Sequence, residues 1–106
     1  MQKVLLLALT LFVAGCAGTI QSTSLSEAYK KYELQEFERT LELITRAENV
    51  KQTTPEMKAK LTYLKAQTHE SLGQQKIANT LYKYLAEEHK YSQYGYLARN
   101  KLNKKL

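Results

Sequence analysis

The chain has no Trp and no Asp, and only one Cys, one Pro and four Gly among its 106 residues. A lone Cys rules out an internal disulfide. Without Asp, two isolated His give little from which to build a metal site, and His69 and His89 stand twenty residues apart with no companion at ligand spacing. The glycines, at 15, 18, 73 and 95, form no phosphate-cradling loop. With no poised base, nucleophile or metal cluster, the expectation is a protein without catalysis, without a metal and without a small-molecule substrate. The length allows one small domain. All ten acids are Glu, which suits helix interiors, whereas the missing Asp is a turn former.

What is present begins with an apolar run. Lys3 precedes Val4 to Ala14, eleven residues without a charge. A membrane-spanning helix needs about 20 apolar residues. This run is too short to span, but it fits the roughly 7–15-residue core of a secretory signal. It ends in the small residues Ala14 and Gly15, directly before Cys16, as a peptidase working on extended backbone requires. Val13-Ala14-Gly15-Cys16 resembles the lipobox of bacterial lipoproteins, with Val13 where that family usually carries Leu. The resemblance implies that residues 1–15 are a removed signal peptide. It also implies that Cys16 carries covalent diacylglycerol and an N-acyl chain, with no other cofactor. By that family's sorting rule, Asp after the Cys retains the protein at the inner membrane. Residue 17 is Ala, which in a host with two membranes implies the outer one, facing the periplasm. The alternative, a free Cys in an ordinary helix, leaves a Leu-rich helix uncovered on a polar domain.

Residues 17–24 are small and polar without periodicity, so residues 16–24 read as a lipidated Cys and a flexible tether. Eight residues reach roughly 25–30 Å at full extension. Residues 25–106 then form the folded domain, and everything in them points to helix. Ser24-Leu25-Ser26-Glu27 reads as a capping box. Behind it, Leu25, Ala28, Tyr32 and Leu34 make the inward stripe of a first helix. Phe37, Leu41, Ile44 and Ala47 make that of a second. Thr54-Pro55-Glu56 is a cap, a Pro in the first turn and an acid, opening a third helix with Met57, Leu61, Leu64, Thr68 and Leu72 inward. Gly73 sits where a helix end takes positive φ. A fourth helix carries Ile77, Ala78, Leu81, Tyr82 and Leu85. Ser92 caps a fifth with Tyr94, Leu97, Ala98 and Leu102. No alternating β-branched run exists, so the domain is predicted to be all-α.

The helices repeat. At an offset of 38 residues Ala28 meets Ala66, Leu34 meets Leu72, Thr40 meets Ala78, Leu43 meets Leu81 and Ile44 meets Tyr82. That is about a 34-residue period with four residues more, which the longer Val50–Thr54 connection accommodates. Ala66, Leu72-Gly73, Ala78 and Tyr82 resemble the signature of the tetratricopeptide repeat family. Ala28, Leu34, Thr40 and Ile44 match in the first unit, with Phe37 at the aromatic site of the turn and Gln35 in place of the Gly. Trp is missing at the start of each unit, as is the Pro that usually closes one. The resemblance implies a short TPR-like array of two helix pairs with a C-terminal capping helix. A generic four- or five-helix bundle would show similar stripes. Such a domain is near the lower size at which one core suffices, so a partner or a homodimer would supply further burial.

Function is readable only as a type. In arrays of this family the first helix of each pair lines the concave face, which implies a binding groove holding Tyr29, Tyr63, Gln67 and Glu70. Eight Tyr suit such a surface because each joins an apolar ring to a hydrogen-bonding tip; packing between helices is the plainer use of them. Charge is uneven: residues 16–50 carry net −2 and residues 51–106 net +7. Lys101, Lys104 and Lys105 form a candidate basic patch for anionic lipid, cell-wall polymer or an acidic partner, or a solvated tail. Nucleic acid is out of reach for an exported lipoprotein. The expectation is a lipid-anchored periplasmic adaptor that binds an envelope protein partner. The alternatives are a pilotin-like lipoprotein escorting a secretin or similar subunit, and a wall-associated structural lipoprotein.

Overall fold

The computed structural model describes residues 19–104. Residues 1–15, expected to be a signal peptide, Cys16 and Lys105 lie outside the described residues. Five helices follow one another: α1 over residues 19–33, α2 Phe37–Glu48, α3 Pro55–Ser71, α4 Gln75–Glu88 and α5 Gln93–Asn103. The described residues contain no strand, and none of their helices is long and apolar enough to cross a membrane. Each helix packs on its neighbour in sequence, and α3 also touches α5. The result is a short helical-repeat array in which α1/α2 and α3/α4 are the pairs and α5 closes the end.

The 38-residue offset reappears in the backbone. At the end of α1, the N–H of Leu34, Gln35 and Glu36 donate to the carbonyls of Lys30, Tyr32 and Lys31 at 2.9–3.1 Å. At the end of α3, the N–H of Leu72, Gly73 and Gln74 donate to Thr68, Glu70 and His69 at 2.8–3.0 Å, the same pattern 38 positions on. The pivots are left-handed, Gln35 at φ 62° and Gly73 at φ 77°. The left-handed region costs a residue with a Cβ about 1–2 kcal/mol, which Gly escapes. Gln35→Gly is therefore expected to raise the unfolding free energy by about 1 kcal/mol, seen as a higher urea midpoint at unchanged slope.

Two buried clusters meet on α3. Leu25 and Ala28 of α1, Leu43, Ile44 and Ala47 of α2, and Leu61 and Leu64 of α3 form the first. Ala59 and Ala66 of α3, Ala78, Tyr82 and Leu85 of α4, and Ala98 of α5 form the second. Alanines at these contacts let helix axes approach closely. Buried Thr40, Thr62 and Thr68 satisfy their hydroxyls locally, each donating to the carbonyl four residues back at 2.7–2.9 Å.

Several expectations need correction. Residues 19–24 are helical, so the tether does not extend through them, and Ser24 lies buried inside α1 rather than capping it. The Gln21 amide is the reason: it donates to the Ala47 carbonyl at 3.2 Å and to Thr53 Oγ1 at 3.1 Å, tying the start of α1 to the end of α2. Leu34 points into solvent, because the chain turns at Gln35 before Leu34 can reach the core. Leu43, not Leu41, is the fully buried leucine of α2. Ile77 and Leu97 are exposed, while Gly95 of α5 is buried against α4. The caps stand as expected: Thr54 Oγ1 accepts from Met57 N–H at 3.1 Å, and Ser92 Oγ from Tyr94 N–H at 3.2 Å.

Candidate functional site

Helices α1, α3 and α5 lie side by side, and their shared face is rich in tyrosine. On α3, Lys60, Tyr63, Gln67 and Glu70 recur at spacings of three and four, one stripe of a helix. Beside them on α1 stands Tyr29, half-buried, with the Lys60 ammonium 6.0 Å from its ring centre. Next along α1, the Tyr32 hydroxyl lies 3.3 Å from Ser71 Oγ. From the other side, Tyr94 of α5 brings its ring centre 5.7 Å from that of Tyr63, and Tyr82 of α4 packs beneath at 5.9 Å.

The four residues expected at a groove, Tyr29, Tyr63, Gln67 and Glu70, are thus brought onto one surface, all half-buried. Glu70 is its polar junction. It accepts from Lys101 Nζ at 3.1 Å, from the buried Tyr82 hydroxyl at 3.4 Å and from Gln75 Nε2 at 3.4 Å. Lys101 therefore belongs to this face and not to a separate basic tail. Lys104 caps α5 in solvent, and Lys105 lies outside the described residues. Tyr32, Lys60, Tyr94 and Lys101 were not expected here. The i,i+3 pair Tyr29/Tyr32 and the 60/63/67/70 spacing carry the signal that would have found the first two. Tyr94 and Lys101 needed knowledge of how α5 docks.

Burial sets the electrostatics. Desolvation pushes the phenols of Tyr29, Tyr63, Tyr82 and Tyr94 above the ordinary tyrosine range. At Tyr82 the Glu70 carboxylate adds to the rise, and at Tyr63 the Lys101 ammonium opposes it. A Tyr whose pKa is raised on folding binds its proton more tightly in the native state. Its stabilisation is complete below the unfolded value of about 10 and is lost as pH climbs through the folded value. Urea midpoints are expected to hold up to about pH 10 and fall beyond it. Tyr82→Phe should show a shallower fall than the wild type.

Open clefts line the helix-end turns, at residues such as Lys31, Gln35 and Leu72 or Pro55, Glu88 and Tyr91. None of those clefts takes a wall from Tyr29, Tyr63, Gln67 or Glu70. Among the described residues no cluster of three His, Cys or Glu side chains is placed to hold a metal ion. No protein family, curated protein or solved structure matches this chain.

Proposed function

We propose that the protein is a lipid-anchored envelope adaptor of the tetratricopeptide-repeat kind, holding an extended segment of a protein partner across the α1/α3/α5 face. The observation that carries this reading is the surface just described: tyrosine rings on three adjacent helices, flanked by Lys60, Gln67 and the Glu70–Lys101 pair. Rings with polar tips provide contact area together with hydrogen bonds, the combination that favours protein partners. A face spread over three helices suits a chain laid across it better than a small molecule, which needs an enclosing pocket. The lipobox-like Val13-Ala14-Gly15-Cys16 supports the anchor and the export route, and in a host with two membranes Ala17, where Asp would retain the protein at the inner one, supports the outer membrane.

The test is site-specific photocrosslinking in cells. A crosslinking residue at Gln67 should capture one discrete envelope protein, and the same residue at exposed Lys83 on α4 should not. Replacing Cys16 with Ser should abolish capture if membrane placement is required. A captured secretin-type subunit would mark an escort, whereas a stable envelope complex would mark an adaptor. Equal labelling from both positions, or none from Gln67, would reject the face as the binding surface.

A further inference from the structure

We infer that the edge of the array nearest Cys16 rests directly on the bilayer, with the α4–α5 turn at Lys90 and Tyr91 as a second contact with the lipid headgroups. The inference rests on the reading of Cys16 as the lipid-bearing residue. Its geometry comes from the start of α1. Two residues separate Cys16 from Thr19, which is already helical. The three chain steps from Cys16 to Thr19 span at most about 11 Å. The anchor therefore joins the domain on a short leash and holds the starting end of α1 at the membrane surface.

Contacts along the chain show what shares that end. Gln21 reaches Ala47 and Thr53, so the α2–α3 connection lies beside it. Pro55 and Glu56, at the start of α3, share a cleft with His89, Lys90 and Tyr91, and Ser92 Oγ donates to Glu56 at 3.2 Å. The edge therefore runs continuously from Ile20 past Lys51 and Lys58 to Tyr91. At one end Ile20 is 52% exposed, and at the other Tyr91 is 93% exposed with the Lys90 ammonium 5.2 Å from its ring centre. Among the described residues the Tyr91 ring joins neither buried cluster. An aromatic beside a long-stemmed cation is the pairing that settles at headgroup level, ring toward the acyl boundary and ammonium toward water.

A leash at α1 alone would let the rigid array tip about that point. A second contact at the far end of the same edge fixes the tilt. Charges along the edge balance, Lys51, Lys58, Lys90 and Arg99 against Glu48, Glu56, Glu87 and Glu88. The contact is therefore one of interfacial partition and should be insensitive to salt. The arrangement also sends α5 away from the bilayer, placing Lys104 on the opposite side, where a wall polymer and not a lipid would meet it.

The absence of Trp makes the test direct. Single-Trp variants Tyr91→Trp and Leu34→Trp are made in the full lipidated chain. Leu34 is 65% exposed at the other end of α1, about 21 Å from Ile20 along the helix axis. Each variant is reconstituted in phosphatidylethanolamine–phosphatidylglycerol vesicles that contain headgroup-proximal spin-labelled lipid. Tyr91→Trp is expected to lose emission to the spin label, as a ring at headgroup level would, in low and high salt alike. Leu34→Trp should be unaffected. Equal quenching of the two, or no quenching of Tyr91→Trp, on a chain whose mass includes the acyl groups would overturn the docking. A chain whose mass shows no acyl groups would overturn the anchor, and the docking with it.

Discussion

Gly95→Ala is expected to lower the unfolding free energy by about 3 kcal/mol, at the high end for an overpacked contact. For a domain of this size that means a melting point roughly 12–24 °C lower. A Cβ at position 95 would collide with the carbonyl oxygen of His89, come within 2.8 Å of its carbonyl carbon and stand 3.1 Å from the Leu85 oxygen. These are backbone atoms and cannot swing aside as a side chain could. Relief requires α5 to lift from α4. That motion would strain the Ser92–His89 hydrogen bond, pull Tyr94 from Tyr63 and separate Lys101 from Glu70. The helix propensity gained by replacing Gly with Ala, about 1 kcal/mol, is too small to reverse the sign. Gly73→Ala is the control. A Cβ there meets nothing within 4 Å, so only the positive φ is at issue and the loss should stay near 1 kcal/mol. A thermal melt followed by circular dichroism separates the two. Equal losses would show that space at Gly95 is not what the α4–α5 turn requires.

Tyr82 is the position where truncation should hurt most. Its side chain is wholly buried, packed against Tyr63, and its hydroxyl donates to Glu70. Tyr82→Ala removes a ring from the second cluster and is expected to reduce stability by about 4 kcal/mol. Against a total of roughly 5–15 kcal/mol, that brings a small domain close to unfolding. Tyr82→Phe keeps the ring and drops one hydrogen bond, so it should lose only about 1 kcal/mol. The comparison also bears on the proposed binding face, because Tyr82 supports Tyr63 and Glu70 from below. The Phe variant should keep that face in place, and urea denaturation at neutral pH reads both effects.

The repeat was legible because its markers are local. Gly73, Thr54-Pro55 and Ser92 announce helix boundaries through single-residue chemistry, and the 38-residue offset aligned Ala28 with Ala66 before any packing was known. The start of α1 was not legible, because the inward positions of its first turns are Gln21 and Ser24. A search for apolar periodicity passes over a buried amide whose partners lie in another helix. Leu34 misled for the opposite reason: an apolar residue in register with the stripe lies past the last turn able to carry it inward. Spacing puts Tyr63, Gln67 and Glu70 on one face of α3, and the repeat resemblance supplied the expectation that Tyr29 of α1 joins them. The link between Glu70 and Lys101 spans thirty-one positions, and only the docking of α5 creates it.

Helix α3 belongs to both buried clusters, with Leu61 and Leu64 toward α1 and α2 and Ala59 and Ala66 toward α4 and α5. Cooperativity in this molecule therefore passes through one helix. An array of this kind behaves as a row of nearest-neighbour couplings, in which either end can open while the rest persists. In amide hydrogen exchange α1 and α5 would release their protons first, through independent openings, and α3 last, at the global free energy. Weakening α2 or α4 would loosen one half alone. Weakening α3 would destabilise both halves at once, and they would be lost together.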